Sequence, residues 1–569
     1  VTSEERKSLS PRDRRLLMGY GPAVLIIAGF FAMALFIPSI APEQNVSSAS
    51  SSTNTGAASA SASASPATTL PSTTGTTLPT TTGTTVPGTP TSGVTSGTVA
   101  AGSTPTAAGT GACSGPQVPG DSYSPPCVTF NGSNGGATSR GVTANTITIT
   151  YMNPTDGSQS VDQAIHAYTG SYNSVIFPET YAQEINTLQQ LVAYFNAHFQ
   201  FYGRKIVLQV FNGQEDGAGD NQSNVNADAL NVADTIKAFG ELNGTSEAYV
   251  EALTAQKTVS FDGGYFSQQF YQQESPYAWG YAPDCSELGQ EVGTVAAKEL
   301  AGHNTQWAGT GVGDGKPRVF AVLEPDEQIY TQCASAITQA LTAAGHPAAT
   351  NIAYSANAAD ATATAQSITQ QLKNDNITTI LCICDPVVQL LVSGDLNNAA
   401  YQPEWFNAAA VGEDTDDIAQ IMNQTTWSHV AEITNEVTFA GKYGTTIGYA
   451  AAKSEDPSGA LIVNEVDVLY QRLYQLAIGI QEAGPNLTPQ SFAQGMWNYP
   501  GGNGPFGPVT YNDAGTHYYT PTHQFEFQWY DPSQTSAFDG EQGAWITGST
   551  WFTSSTIPAS APVFPNGPQ

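Results

Sequence analysis

Arg318 to Gly345, RVFAVLEPDEQIYTQCASAITQALTAAG, reads as a strand, a polar loop and a helix in immediate succession, and that order narrows the folds open to this chain more than any other feature. Val319 to Leu323 is apolar and too short for a helix, which suits a buried strand. Glu324 to Gln328 is acidic and polar, and Pro325 is expected to end any regular element there. Apolar residues then recur at helical spacing, at Ile329, Ala336, Ile337, Ala340 and Leu341, and Gly345 is a stop signal. A strand feeding directly into a helix is the unit of open parallel sheets, whose ligands sit beyond the carboxyl ends of the strands. Glu324 to Tyr330 is therefore a candidate ligand edge.

The same alternation runs through the chain. Thr146 to Tyr151 alternates like a strand and ends in a turn at Asn153 to Gly157. Tyr181 to Phe199 carries Ile185, Leu188, Val192, Phe195 and Phe199 on one helical stripe, and Lys205 to Phe211 is the next strand. Strand, helix and strand at short spacing predict a right-handed βαβ unit and a parallel sheet. Helices are expected at Asn224 to Lys237, from Asn243–Ser246 to Gln256, and at Glu287 to Leu300, Thr364 to Lys373, Val387 to Leu396 and Glu465 to Glu482. Strands are expected at Ala238 to Leu242, Thr258 to Phe261 and Thr378 to Ile383. Val509 to Tyr511, Gln524 to Tyr530 and Ala544 to Thr547 read as β-hairpins.

Ahead of this pattern the composition changes. Val46 to Gly111 holds no Asp, Glu, Lys or Arg and is almost wholly Ser, Thr, Ala, Gly and Pro, too poor in apolar bulk to offset the entropy of ordering. Leu16 to Ile37 is 22 residues without a charge, and at about 1.5 Å per residue a helix of that length reaches across a bilayer core. Arg6, Lys7, Arg12, Arg14 and Arg15 precede it. The positive-inside rule then leaves a short cytoplasmic N-terminus on a single-pass cell-membrane protein with the remainder outside. A cleaved signal peptide is the competing reading, but Pro38-Ser39-Ile40-Ala41-Pro42 is a poor cleavage site.

The expected organisation is a cytoplasmic tail at 1–15, an anchor at 16–40, a disordered linker at 41–112, a cysteine-containing lead-in at 113–139 and a folded part at 140–560. The net charge of −31 argues against nucleic acid as a partner. Cys113, Cys127, Cys285, Cys333, Cys382 and Cys384 suit an oxidising exterior. Cys113 and Cys127 enclose a Pro/Gly-rich loop and read as a pair. The other four allow three pairings. Cys382 and Cys384, two apart in an expected strand, face the same side, which argues against a bond between them.

Short motifs recur in a fixed order along the chain: Gly141-Val142-Thr143, Asn196-Ala197 with Gly203-Arg204-Lys205-Ile206, and Ser275-Pro276-Tyr277 with Pro283-Asp284 and Gln290. They continue with Asp385-Pro386 and Tyr401-Gln402-Pro403-Glu404-Trp405, Ala483 to Thr488, and Gly507 to Asn512 with Gly515. That order resembles the type I periplasmic solute-binding proteins, the family of the leucine/isoleucine/valine-binding proteins of ABC importers. His198-Phe199-Gln200-Phe201 and Tyr330-Thr331 depart from the family's pattern. The resemblance implies an α/β, two-lobed Venus-flytrap fold. Each lobe is a parallel-sheet sandwich, three crossovers join them, and a solute is clamped between. It places one lobe at about 141–281 and 438–500, the other at about 282–437 and 501–560. It further implies a small polar solute (amino acid, amide or small carboxylate) and ABC permease and ATPase partners. A ligand-sensing ectodomain working through a partner protein is the alternative use of such a fold.

Carboxyl ends of strands and the helix starts after them supply the candidate ligand residues. Asn243, Gly244, Thr245 and Ser246 offer hydroxyls and backbone N–H groups at a helix N-terminus, suited to a carboxylate or, equally, to capping. Tyr265 and Tyr330 are expected to form an aromatic wall from opposite lobes. Glu324, Asp326 and Asp385 are candidate acceptors for an ammonium or amide, and Asp156 ends the first strand. The clustering of Cys333 with Cys285, Cys382 and Cys384 at this edge points to disulfides bracing the second jaw. No GxSxG, HExxH or EF-hand pattern is present, and Gly309-Thr310-Gly311-Val312-Gly313-Asp314-Gly315-Lys316-Pro317 lacks both the first glycine and the Ser/Thr of a phosphate loop. No catalytic residue, metal or cofactor is expected.

Overall fold

The computed structural model of the chain describes residues 114–154, 181–215, 221–262, 265–326, 328–355, 360–408, 414–435, 444–456, 460–513 and 515–557. The expected anchor and linker lie outside these residues, as do Cys113 and Asp156. Among the described residues no helix is long and apolar enough to cross a membrane.

The first sheet is built from β1 (Thr146–Asn153), α1 (Tyr181–His198), β2 (Lys205–Asn212), α2 (Gln222–Leu230), β3 (Gly240–Gly244), α3 (Glu247–Ala255), β4 (Val259–Asp262), α4 (Gln268–Gln273) and β5 (Ala278–Gly280). A wider helical turn at Asn231–Ile236 extends α2. The strand order is β2-β1-β3-β4-β5 and every pair is parallel, as the βαβ spacing predicts. The stripe on α1 does what its periodicity requires: Leu188, Val192 and Phe195 enter the core under β1.

The chain then crosses to a second sheet through α5 (Cys285–Val295), β6 (Phe320–Pro325), α6 (Gln328–Ala343), β7 (Thr350–Tyr354), α7 (Ala361–Asn374), β8 (Thr379–Cys382), α8 (Pro386–Asn398), β9 (Glu404–Ala408), α9 (Asp416–Ile421), α10 (Gln424–Trp427) and β10 (Val430–Thr434). It returns to the first core with α11 (Ile447–Glu455), α12 (Val466–Ala483) and α13 (Pro489–Asn498), whose Tyr470, Leu473 and Phe492 pack with β1 and β3. Two short hairpins follow, β11 (Gly502–Gly504) with β12 (Gly507–Val509) and β13 (Asn512–Asp513) with β14 (Thr516–His517). The first carries Val509 to the edge of the first core. A third crossing ends in β15 (Glu526–Thr535) and β16 (Gln542–Thr547), antiparallel strands closing one edge of the second sheet. The order there is β16-β15-β10-β9-β8-β6-β7. His523, after the third crossing, is 2.7 Å from Glu287 on α5, so the first and third crossings are tied together.

β6 is the expected buried strand. Phe320 and Val322 face one core of the second sheet while Ala321 and Leu323 face the other, which is why the run is continuous and not alternating. It extends further than expected, because Pro325 pairs with Tyr354 at its end. β8 has already stopped opposite Leu323, so the proline's missing N–H removes no bond to that neighbour.

β9 and β10 carry no apolar run to announce them. Glu404, Asn407 and Glu432 lie fully buried inside them. Glu404 is tolerated because Arg318 meets it with two bonds, Nε–Oε2 at 2.7 Å and Nη2–Oε1 at 3.1 Å, with side chains 1% and 0% exposed. The backbone N–H groups of Gln306 and Trp307 and the Thr379 hydroxyl donate to the same carboxylate, and the guanidinium lies 5.1 Å from the Trp307 ring centre.

Two disulfides brace the second body. Cys285–Cys333 joins α5 to α6 with Cα atoms 5.1 Å apart. The helices approach this closely because Gly289 faces the Cys333 carbonyl, and because a side chain at Gly293 would come within 2.9 Å of Ala340 and Ile337. Cys382 and Cys384 bond to each other, against the expectation for a strand. β8 ends at Cys382 and the chain contracts there. The Cα atoms are 5.4 Å apart, inside the usual disulfide range and shorter than the roughly 6.6 Å of an extended i, i+2 pair. Cys127 is also disulfide-bonded.

Candidate functional site

The carboxyl ends of the first sheet converge beside the first crossing. Asn243 lies one residue before the end of β3 with its amide committed: Nδ2 donates to the Met152 carbonyl at 3.0 Å and Oδ1 accepts from Arg472 Nη1 at 3.3 Å. Gly244 pairs with Asp262 across a shift in register. Ser246 caps α3 by accepting from the Tyr249 N–H at 3.2 Å. A carboxylate does sit on the two hydroxyls, and it is the chain's own. Glu215, 1% exposed, accepts from Thr245 Oγ1 at 3.0 Å and Ser246 Oγ at 3.1 Å.

Tyr265 follows β4 in the left-handed region, with φ 68°. It is buried in the core of the second body, against which Tyr330 also packs. The two rings thus belong to one cluster bridging the bodies and do not form facing walls. Glu324, at the end of β6, is buried with Oε2 unpartnered among the described residues, and burial pushes its carboxyl up to about 7. Asp326 is exposed, and its backbone N–H donates to the Tyr354 carbonyl at 2.7 Å. Asp385 caps α8, accepting from Val387 and Val388 N–H at 2.9 and 3.0 Å and from the Tyr354 hydroxyl at 2.8 Å. Burial raises its pKa, opposed by those bonds. Its carboxylate serves the helix. Asp156 lies outside the described residues.

Sequence reasoning passed over the groups that dominate the electrostatics here. Arg472, the lone Lys or Arg of α12, is 8% exposed and stands 5.1 Å from the Tyr281 ring centre, which in turn lies 5.8 Å from Phe506. A single arginine between Leu469 and Leu476, on a buried helical face, was the available signal. Glu241 on β3 accepts from the N–H groups of Met152 and Asn243 at 3.0 and 2.9 Å, and burial pushes it up to about 7. Glu184, at the start of α1, accepts from the Tyr151 hydroxyl, and burial raises its pKa. In the second body Glu432 accepts from Gln528 Nε2 at 2.5 Å and Asp414 from Thr434 Oγ1 at 2.5 Å. Asn407 pairs with Glu432 and Cys382 across the sheet, fully buried and with neither amide atom partnered among the described residues.

These carboxyls set a pH dependence. Burial pushes Glu241 and Asp284 up to about 7 and Asp414 and Asp467 up to about 6. Each holds its proton more tightly folded than unfolded, so its stabilising contribution is complete below about pH 4 and is lost as pH rises through about 6 to 7. Urea midpoints are expected to fall between pH 5 and pH 8, by an amount on the order of a few kcal/mol in unfolding free energy. A flat or rising profile would mean that these carboxyls ionise in place without cost.

No family model matches the sequence, and no curated protein is similar to it at the sequence level. Solved structures do match. A solute-binding protein of an ABC transporter from Rhodopseudomonas palustris BisB5, solved with 3,4-dihydroxybenzoic acid, superposes with a TM-score of 0.51 at 14% identity, over 72% of this chain and 98% of its own. The fold is that of the type I periplasmic solute-binding proteins. A second R. palustris solute-binding protein, solved with 4-hydroxybenzoate, gives 0.50 at 13% identity over 72% of this chain and 97% of its own. A fatty acid ABC transporter substrate-binding protein from Thermomonospora curvata gives 0.50 at 11% over 74% and 96%. The fold accounts for both sheets.

Proposed function

We propose that the protein captures a small polar solute (an amino acid, an amide or a small carboxylate) between its two α/β bodies and hands it to an ABC permease and ATPase. The observation that carries this reading is the architecture: one parallel sheet and one largely parallel sheet joined by three crossings, with buried, incompletely bonded polar groups near the carboxyl ends of their strands, in Glu324 and Asn407 and in Arg472 of α12 beside Asn243. Closure would be a shift toward a state in which both bodies touch the solute. The similar structures are solute-binding proteins and not enzymes, which supports a binding role. Leu16 to Ile37 is proposed to hold the protein at the outer face of the cell membrane, with 1–15 inside and 41–112 as tether. The lobes are proposed to divide at about 281, 437 and 500.

Thermal denaturation against a panel of amino acids, amides and small carboxylates tests capture. A ligand at 100 times its Kd is expected to add about 2.7 kcal/mol. Silence across the panel would remove the reading. For the anchor, deleting residues 1–40 is expected to move the protein from the membrane to the soluble fraction. Equal partitioning of both forms would reject it.

A further inference from the structure

The four arginines among the described residues divide three to one. Arg140 donates to the carbonyls of Ala238 and Gln256 and to the Thr258 hydroxyl. Arg204 donates to the carbonyls of Thr143, Pro485, Asn134 and Gly136. Arg318 is held by Glu404 and the Leu300 carbonyl. Arg472 is as deeply placed and has a single hydrogen bond, from Nη1 to Asn243 Oδ1 at 3.3 Å. Its Nε is buried without a partner. Among the described residues no carboxylate comes within ion-pair reach of it.

The acids nearby, Glu184 and Glu241, lie outside ion-pair distance of it, and Glu241 Oε2 is itself without a hydrogen bond among the described residues. Glu184 is bonded to Tyr151, and Glu241 Oε1 is held by two backbone N–H groups. Burial raises the pKa of both, and the charge on Arg472 opposes that shift in each. A guanidinium deprived of water and left with an unmet donor costs free energy unless something anionic completes it. With Nη1 turned to Asn243, the edge left without a hydrogen bond is Nε with Nη2. That is the side-on fork that takes both oxygens of a carboxylate. Tyr281 lies against the guanidinium, holding its plane beside the first crossing. The other seat for an anion in this region, the hydroxyls at the start of α3, is filled by Glu215.

We propose that Arg472 is the specificity-determining residue of the cleft and receives the carboxylate of the solute through Nε and Nη2, which makes the solute a small carboxylic acid. The inference rests on solute capture and narrows it: within amino acids, amides and carboxylates it requires the carboxylate and rejects the amide. Residues around Tyr281 and Phe506 present aromatic surface next to the charge, so the body adjoining the carboxylate is apolar.

Matched acid and amide pairs test this with the full-length protein: benzoate with benzamide, 4-hydroxybenzoate with 4-hydroxybenzamide, and isovalerate with isovaleramide, by thermal shift and calorimetry. At least one acid is expected to bind at least about tenfold tighter than its amide. Arg472→Gln should weaken that acid by about 30-fold or more, as expected when one partner of a desolvated charge pair is removed. Arg472→Lys, which keeps the charge and loses the fork, should weaken it less. Tyr281→Leu should cost about threefold to tenfold, and it stands in if Arg472→Gln does not fold. An amide that binds as well as its acid, or an acid whose affinity survives both Arg472→Gln and Tyr281→Leu, overturns the assignment and leaves solute capture standing. No binding by any acid or amide overturns the assignment and capture together.

Discussion

Replacing Glu404 by alanine is expected to lower the unfolding free energy by about 3–5 kcal/mol, the cost of leaving a buried charge without its partner. Arg318 would keep its cation-π contact with Trp307 and its bond to the Leu300 carbonyl, but would lose both bonds to the carboxylate. The backbone N–H groups of Gln306 and Trp307 and the Thr379 hydroxyl would lose their acceptor at the same time. Urea denaturation measures the loss. Arg318→Met combined with Glu404→Leu is expected to recover much of it, because a matched apolar pair carries no desolvation penalty. If the single substitution costs less than about 1 kcal/mol, the pair is solvated and behaves as a surface salt bridge.

Removing the Cys285–Cys333 bond by serine substitution at both positions is expected to cost about 4 kcal/mol, since it releases a loop with ends 48 residues apart. The Cys382–Cys384 bond spans a separation of 2, and the same loop-entropy relation gives it only about 1–2 kcal/mol. The two double-serine variants, compared by denaturant midpoint against the parent, should rank in that order. The reverse order would mean that the turn after β8 needs its bond to hold the carboxyl end of the sheet, and that chain entropy is not the controlling factor. The first bond also fixes α5 on α6, where Gly289 and Gly293 leave no room for adjustment, so its loss should loosen the helix pair beside the first crossing.

Much of the fold was legible because its signals are local. The stripe on α1, the apolar run of β6, the long α12 and the repeated strand-to-helix order each depend on residues a few positions apart, and each occurs where expected. Strands β7, β9 and β10 were not legible. EWFNA and VAEIT mix polar residues into positions that the sheet buries, and TNIAY is an edge strand that buries only Ile352 and Tyr354. A buried glutamate reads as a surface residue until its partner is known, and Glu404 finds Arg318 at a sequence distance of 86.

The candidate site divides in the same way. The sequence by itself determined that an α/β chain of this order presents polar groups at the carboxyl ends of its strands, since that follows from alternation and turn chemistry. It also marked Asn243 to Ser246 as an anion seat, because hydroxyls at a helix start have that property wherever they occur. Only the tertiary structure decided that Glu215 occupies this seat, that Asp385 is spent on capping α8, and that Arg472 is left with an unbonded edge beside Tyr281. Whether a polar group is free to bind depends on which distant residue has already claimed it, and such claims are settled by packing between elements with no local trace in the sequence.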